Sequence, residues 1–211
     1  MYLVKTPEIF RKLMSRSTWK IAGNEKVLYL TFDDGPTPEI TPWVMSQLEN
    51  YSGKATFFCI GKHVKENPEI FKQLVQKGHS IGNHTFDHLN GLKTSNSIYF
   101  ENIKKCSEVV DSNLFRPPFG LCKPSQYNAL KHKFSIILWD VLSWDWEEKN
   151  TKENCLKFVL ENADAGSVVV FHDSEQALPR LEYTLPRVLS HFSNLGYNFK
   201  SIPMLKTDSS F

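Results

Sequence analysis

The sequence predicts a single α/β domain in which a parallel sheet curls into a barrel. Short runs rich in β-branched and aromatic residues alternate with longer segments of helical periodicity. Consecutive parallel strands need a helical crossover between them, and about seven such units are enough to curl a sheet into a barrel. An open doubly wound sheet is the alternative, although no G-x-G-x-x-G or P-loop pattern follows any predicted strand.

The predicted strands recur along the whole chain. They are residues 27–32, 55–60, 79–84, 114–118, 134–140, 167–172 and 198–202. The predicted helices between them are residues 39–50, 63–77, 95–111, 123–132, 151–163 and 178–194. Gly78 follows the second predicted helix and Gly196 the last, as is typical of helix ends.

Composition limits the class of protein. The 211 residues, of which 41% are hydrophobic and 23% charged, suffice for one sizeable core, and no shift in composition marks a second domain. A net charge of +2 is too small to predict a nucleic-acid surface. The four cysteines form no C-x-x-C pair, so free buried thiols are expected rather than a zinc ribbon.

No segment predicts a signal peptide or a transmembrane helix. Residues 1–7 lack the basic start and long apolar region of a secretory signal, and no stretch approaches the roughly 20 apolar residues of a membrane span. The sequence therefore predicts a cytoplasmic protein. A cell-envelope or secreted protein whose leader has been removed is the alternative.

Asp33 and Asp34 directly follow the apolar run of the first predicted strand. Ionised carboxylates on apolar elements are rarely buried without a partner, and neighbouring carboxylates repel, so a cation or a shared proton is expected here. An ordinary turn is the alternative, because Asp-Asp-Gly-Pro also suits turn geometry.

A second cluster lies at the end of the third predicted strand. His84 and His88 are four positions apart and can converge on one ion, although histidine pairs also occur at surfaces and in cores. With a strand-end carboxylate they form a two-histidine, one-carboxylate set. Such a set suits Zn, Co or Fe(II) and leaves coordination positions open.

Further polar residues follow other predicted strands. Arg116, Asp145 and His172 lie at the carboxyl ends of the fourth, fifth and sixth strands, the face on which α/β barrels build active sites, so one shared pocket is expected. The loop 116–120, Arg-Pro-Pro-Phe-Gly, would be rigid enough to offer a backbone N–H to an oxyanion. A proline-rich turn with a solvated arginine is the alternative.

Three indoles lie close together at the end of the fifth predicted strand. Trp139, Trp144 and Trp146 stand beside carboxylates and favour a sugar-binding wall, with core packing as the alternative. The remaining histidines have no acidic neighbours and are expected to be structural or exposed: His63, His79, His132 and His191.

Five motifs in this order form a recognisable set: TFDDGP, HTFDH, RPPFG, WDVLSWDW and VVVFHD. The chain resembles the NodB-type polysaccharide deacetylases of carbohydrate esterase family four, over residues 26–204. The resemblance implies a distorted (β/α)7 barrel as the catalytic domain. Two parts have no counterpart in the motifs, an N-terminal segment at 1–25 and a C-terminal tail at 205–211.

The resemblance also implies site roles. A divalent ion, with zinc foremost and cobalt or another transition metal as alternatives, would be held by Asp34, His84 and His88. Asp33 would be the catalytic base, oriented by Arg116. The remaining implied roles are an oxyanion contact from the backbone N–H of Phe119, a general acid, His172, tuned by Asp145, and an acetyl pocket lined by Trp146 and Val170.

Two positions depart from the family pattern, with Phe119 in place of tyrosine and Val170 in place of leucine. The implied function is removal of acetyl groups from N-acetylglucosamine in peptidoglycan or a chitooligosaccharide, which releases acetate and a free amino sugar. The alternatives are an O-acetyl esterase acting on a xylan-type polymer and a non-catalytic glycan-binding relative. No protein partner is predicted.

Overall fold

The computed structural model describes residues 2–23 and 25–203. Its strands are β1 Val27–Asp33, β2 Thr56–Cys59, β3 Ser80–Asn83, β4 Leu114–Phe115, β5 Ser135–Ile136, β6 Val141–Leu142, β7 Val168–His172 and β8 Asn198–Phe199. Its helices are α1 Glu8–Leu13, α2 Ile40–Glu49, α3 Gly61–Glu66, α4 Pro68–Gln76, α5 Asn96–Ser107, α6 Pro124–Leu130, α7 Lys152–Asn162 and α8 Leu178–Asn194. The predicted tail at 205–211 lies outside the described residues.

The strands form one curled parallel sheet in the order β5-β4-β3-β2-β1-β7-β6, with β8 beside the start of β1. This arrangement confirms the predicted distorted (β/α)7 barrel. Strand β1 lies at its centre, and six of its seven residues are buried. A strand covered on both faces must be apolar nearly throughout, which explains the continuous apolar run in its sequence.

The N-terminal segment lies along the seam of the barrel. Within the described part of the chain, β5 and β6 are not paired with each other, and residues 2–23 bridge the gap. Thr18 donates its N–H to Ile136 O at 2.9 Å and accepts from Leu138 N at 2.8 Å, while Leu142 N donates to Val4 O at 2.9 Å. The backbone groups at the sheet edges are thereby paired.

The predicted strand 134–140 is wrong as one element, because only Ser135–Ile136 and the separate Val141–Leu142 are strands. Between them, the Arg116 guanidinium donates to Ile137 O and Leu138 O, both at 3.2 Å. These carbonyls therefore accept from a side chain instead of from the N–H groups of a neighbouring strand. Strand β4 ends at Phe115, earlier than predicted, and two prolines that cannot donate to a ladder follow at 117 and 118.

The predicted helix 63–77 is also wrong as one element. Helix α3 ends at Glu66, and α4 begins at Pro68, with Asn67 at φ −128° between them. Proline lacks an N–H and disfavours helical geometry in the residue before it, so the chain breaks here. The other predicted helices are present with ends shifted by a few residues, whereas α1 was not predicted.

The core lies between the sheet and the surrounding helices and includes a stack of Phe57, Phe32 and Phe171 on adjacent strands. The cysteines are free, as expected, and all except the half-buried Cys122 are buried. Among residues 2–23 and 25–203, no helix has the length and apolar character needed to cross a membrane.

Candidate active site

The sequence-predicted residues converge at the carboxyl edge of the sheet. Asp33 is the last residue of β1, His172 is the last of β7, and the two are register partners in the parallel ladder. They line one cavity of about 550 Å³. Asp34, His84, His88, Phe119, Trp146 and Val170 line the same cavity, while Arg116 and Asp145 lie fully buried behind it.

Asp34, His84 and His88 form a compact cluster. Asp34 Oδ1 lies 3.3 Å from His88 Nε2 and 3.7 Å from His84 Nε2. Ligand atoms at about 2.1 Å from a tetrahedral zinc ion are separated by roughly 3.4 Å, so this spacing suits a common ion. Asp34 Oδ1 is buried and accepts no hydrogen bond from the described residues. An orphaned carboxylate oxygen facing two imidazole nitrogens is the donor set that a divalent metal satisfies.

The ring of His84 has its coordinating nitrogen free. Its Nδ1 lies 2.8 Å from the carbonyl oxygen of Arg116, which can only accept, so Nδ1 carries the proton and Nε2 presents a lone pair to the cluster. Burial, together with the neighbouring His88, lowers the pKa of His84 to about 3. The imidazole is therefore neutral at physiological pH, as a metal ligand must be.

Asp33 is held by a different contact. Arg116 Nη1 donates to Asp33 Oδ1 at 2.6 Å and to Thr31 Oγ1 at 2.8 Å. The guanidinium also stacks on Phe58, with Cζ 4.1 Å from the ring centroid. Asp33 Oδ2 accepts no hydrogen bond from any described residue, which leaves one oxygen free for a ligand in the cavity.

The half-buried His172 and the fully buried Asp145 form a pair on the other side of the cavity. Asp145 Oδ1 lies 2.8 Å from His172 Nδ1, and its Oδ2 accepts the backbone N–H of His172 at 2.9 Å. Burial alone would lower the pKa of His172, but Asp145, with contributions from Asp34 and Asp33, raises it to about 9. The ring is consequently protonated at neutral pH, with Nε2–H free to donate.

The loop after β4 holds Phe119 in an unusual conformation. Phe119 has φ 62°, a left-handed conformation that is strained for a bulky residue. Such strained residues are concentrated at active sites and ligand-binding loops. Its ring packs on His88 at 4.9 Å between centroids. Gly120 follows at φ 67°, where a Cβ atom would lie 2.3 Å from Trp139, so only glycine fits. Asp34 and His88 also have positive φ, at 82° and 55°.

The cavity wall is largely aromatic and apolar. The three indoles predicted as a sugar-binding wall, Trp139, Trp144 and Trp146, all line it and are half-buried. Leu3, Phe10 and Trp19 of the N-terminal segment add to the wall, a contribution that the motifs did not reveal.

Several supporting residues were missed by the sequence reasoning. His63 lies outside the cavity lining, but its Nδ1 is 2.7 Å from the backbone oxygen of Asp34. Asp173 accepts from Gly35 N at 3.1 Å and from the Thr41 hydroxyl, and burial raises its pKa to about 8. The adjacency of Asp173 to His172 was the only available signal. His79 is buried, while His132 and His191 are exposed, in line with their predicted structural or surface character.

Comparison with known proteins agrees with this geometry. Residues 20–133 match the polysaccharide deacetylase family. A peptidoglycan-N-acetylglucosamine deacetylase of Bacillus cereus is 35% identical over 199 residues, which cover 89% of this chain and 92% of that protein. A chitooligosaccharide deacetylase of Azorhizobium caulinodans is 37% identical over 162 residues, covering 73% and 77% respectively.

One solved structure resembles this chain over nearly the whole length of both proteins. The crystal structure of a peptidoglycan N-acetylglucosamine deacetylase in complex with 4-naphthalen-1-yl-N-oxidanyl-benzamide superposes with a TM-score of 0.86 at 29% identity, covering 98% of this chain and 100% of that one. The family match covers more than half of the chain, and two relatives exceed 30% identity over most of it. This chain belongs to the polysaccharide deacetylase family.

Proposed function

We propose that this protein is a metal-dependent N-deacetylase that removes the acetyl group from N-acetylglucosamine residues of a cell-envelope glycan or chitooligosaccharide. One observation carries the proposal: an orphaned Asp34 oxygen faces two imidazole nitrogens, and Asp33 and His172 line the same cavity, with His172 held from behind by the buried Asp145. Amide hydrolysis requires a site that activates water, a general base and a general acid close to one another, and this cavity has candidates for all three.

Asp34, His84 and His88 would hold the ion. A divalent metal such as zinc supplies Lewis acidity and lowers the pKa of water in its coordination sphere toward about 7. Arg116 binds one oxygen of Asp33, and Asp33 lines the cavity, so its other oxygen would accept the proton from the attacking water. The backbone N–H of Phe119, which lines the cavity and has φ 62°, would donate to the oxygen that becomes negatively charged.

Collapse of the tetrahedral species needs a proton on the departing nitrogen, because an amine anion is a very poor leaving group. His172 is protonated and lines the cavity, and Asp145 holds its ring through Nδ1, so its Nε2–H is free to deliver that proton. Val170 and Trp146 would enclose the acetyl methyl group. Acetate and a free amino sugar are the products.

Ester hydrolysis on an acetylated xylan-type polymer is the second candidate. The same residues serve both reactions, and the apolar ring of Phe119, which lacks a phenolic hydroxyl at the mouth, removes one contact to a sugar. An alcohol leaving group depends less on protonation than an amine. The His172→Ala variant should therefore lose much more activity on amides than on esters if both are accepted.

The test is acetate release by the zinc-loaded protein from N-acetylated chitooligosaccharides, from peptidoglycan and from acetylated xylan. We expect release from an N-acetylglucosamine substrate, and a loss of at least about 100-fold in Asp33→Asn. The matched control is Asp111→Asn, an exposed aspartate that belongs to none of the five motifs and does not line the cavity, which should retain activity. Stoichiometric zinc without release from any substrate would contradict the proposal and favour a glycan-binding protein.

A further inference from the structure

The positive charge of the protein is concentrated in the N-terminal segment. Residues 2–23 contain five of the 25 basic residues and one of the 23 acidic residues. The rest of the chain therefore has 20 basic and 22 acidic residues, and the segment alone accounts for the net charge of +2. A cationic segment on an otherwise slightly acidic molecule indicates an anionic partner.

The same segment exposes an apolar surface. None of the residues of α1 is buried. Ile9 and Leu13, which are 65% and 72% exposed, lie four positions apart and share one face of the helix, and Leu3 and Phe10 of the same segment are about half exposed. One exposed leucine is ordinary, but four large apolar side chains within eleven residues form a patch.

Its basic residues fall into two groups. Arg11 pairs with the buried Asp140, Lys20 pairs with Asp164 at 2.7 Å, and Lys5 Nζ donates to Asn162 O at 3.1 Å, so these three fasten the segment to the barrel. Lys12 and Arg16 are exposed, and their side chains have no ion pair or hydrogen bond with any residue in 2–23 or 25–203. Two cations are thus presented to solvent next to the apolar patch.

This surface is continuous with the mouth of the catalytic cavity. Leu3 and Phe10 line the cavity as well as the patch. Phe119 and Leu121, which also line the cavity, are 57% and 49% exposed. Large apolar side chains therefore lie at the entrance, and one of them, Phe10, belongs to the same helix as Lys12.

We propose that the N-terminal segment docks on an anionic lipid surface, with Ile9 and Leu13 inserted among the lipids and Lys12 and Arg16 at the headgroups. Apolar residues beside unpaired cations are the features of interfacial membrane binding. A second protein copy docked face to face would cover the apolar patch but would bring two net-positive segments together, each with five basic residues and only Glu8 as an acidic one. Docking in this way would place the cavity mouth at the bilayer interface.

Vesicle co-sedimentation of the full chain tests this proposal. We expect the protein to bind vesicles of equimolar phosphatidylcholine and phosphatidylglycerol and to remain free with phosphatidylcholine alone. The double variant Ile9→Ser/Leu13→Ser should bind at least about tenfold more weakly, because two apolar side chains no longer insert. The matched control is Leu195→Ser, which removes an exposed leucine at the opposite edge of the sheet and should bind as the unmodified chain does.

A charge-matched pair separates specific docking from general attraction. Lys12→Glu/Arg16→Glu and Lys72→Glu/Lys133→Glu change the net charge equally, and all four residues are exposed. Only the first pair should lose binding. Equal loss in both pairs, or no binding of the unmodified chain to anionic vesicles, would overturn the proposal. Self-association that is abolished by Ile9→Ser/Leu13→Ser while vesicle binding persists would also overturn it, because the patch would then join two copies.

The measurement does not depend on the proposed catalysis. None of Ile9, Lys12, Leu13 and Arg16 lines the cavity, so acetate release from a soluble chitooligosaccharide should be unchanged in these variants. Thermal unfolding should be unchanged as well, because the substituted side chains are exposed. Vesicle binding requires neither turnover nor a bound metal.

Discussion

Arg116 orients His84 through its backbone, with 2.8 Å between the Arg116 carbonyl oxygen and His84 Nδ1. Its guanidinium binds Asp33 at 2.6 Å. A single buried residue thus connects a candidate metal ligand and the candidate base, one through its main chain and the other through its side chain. A shift of the loop after β4 would displace both, which explains why its geometry is restrained by two prolines and a close contact between Gly120 and Trp139.

Replacement of Arg116 should destabilise the fold. In Arg116→Met, Asp33 remains in a buried position without its counter-ion, so we expect a loss of about 3–5 kcal/mol in the free energy of unfolding. Urea denaturation measures this change. The double variant Asp33→Asn/Arg116→Met should recover part of the loss, because the buried charge is gone. Equal stability of the single and double variants would show that lost packing against Phe58 causes the effect instead.

Zinc affinity should distinguish the role of Asp34 from that of Asp33. Loss of a residue that only hydrogen-bonds to a metal ligand typically weakens metal binding by roughly 10–100-fold. Asp34→Asn should weaken zinc binding by more than this, because it removes a charged ligand. Asp33→Asn should retain the affinity, since Asp33 binds Arg116 instead. Chelator-competition calorimetry measures both constants, with the exposed His132→Gln as control. A comparable loss in both aspartate variants would mean that Asp33 is itself a ligand.

The pH dependence of amide hydrolysis should report the His172–Asp145 pair. A general acid must be protonated, and His172 has a pKa of about 9, so the rate should fall as the pH rises above about 9. In Asp145→Asn, the loss of the charge and of the hydrogen bond lowers this pKa, and the fall should move to lower pH. Rate profiles on a chitooligosaccharide measure the shift.

An activated ester gives the matched comparison for that profile. Its leaving group needs no proton, so the alkaline fall due to His172 should be weaker with this substrate in both proteins. An Asp145→Asn profile that keeps its alkaline limb near pH 9 on the amide would contradict the assignment of His172 as the acid.

His79 should make the fold sensitive to mild acid. Burial, with the positive charges of Lys54 and Lys77, lowers the pKa of His79 to about 4, and Nδ1 accepts the N–H of Ala55 at 3.2 Å. The unfolded chain therefore binds a proton at a higher pH than the folded one, so stability is full above about pH 6.5 and falls as the pH drops toward about 4. The loss attributable to this group is up to about 3 kcal/mol.

Denaturation at several pH values checks this effect. His79→Gln, which keeps an acceptor for Ala55, should have a flatter stability profile between pH 6.5 and 4 than the unmodified chain. The exposed His132→Gln should leave the profile unchanged. Equal slopes in all three proteins would exclude His79 as the source of acid sensitivity.

Much of the fold and the site could be predicted from local pattern. Strands β1 and β7 have long apolar runs because neighbours cover them on both sides, and each ends at a polar residue where that cover stops. Asp33, His84 and His172 lie at such ends, so parallel topology alone brings them to one edge. The prediction of one strand over 134–140 was wrong because the carbonyl oxygens of Ile137 and Leu138 accept hydrogen bonds from Arg116, a contact that apolar periodicity does not reveal.

The sequence by itself determined which side chains face the mouth of the barrel, because strand ends depend on nearby residues. The tertiary structure alone decided how the site is held in place. His63 binds the backbone of Asp34, Arg116 orients the His84 ring, and residues 2–23 close the gap between β5 and β6. Each of these contacts joins residues far apart along the chain. Their pairing follows from the closure of the curled sheet, which no local pattern encodes.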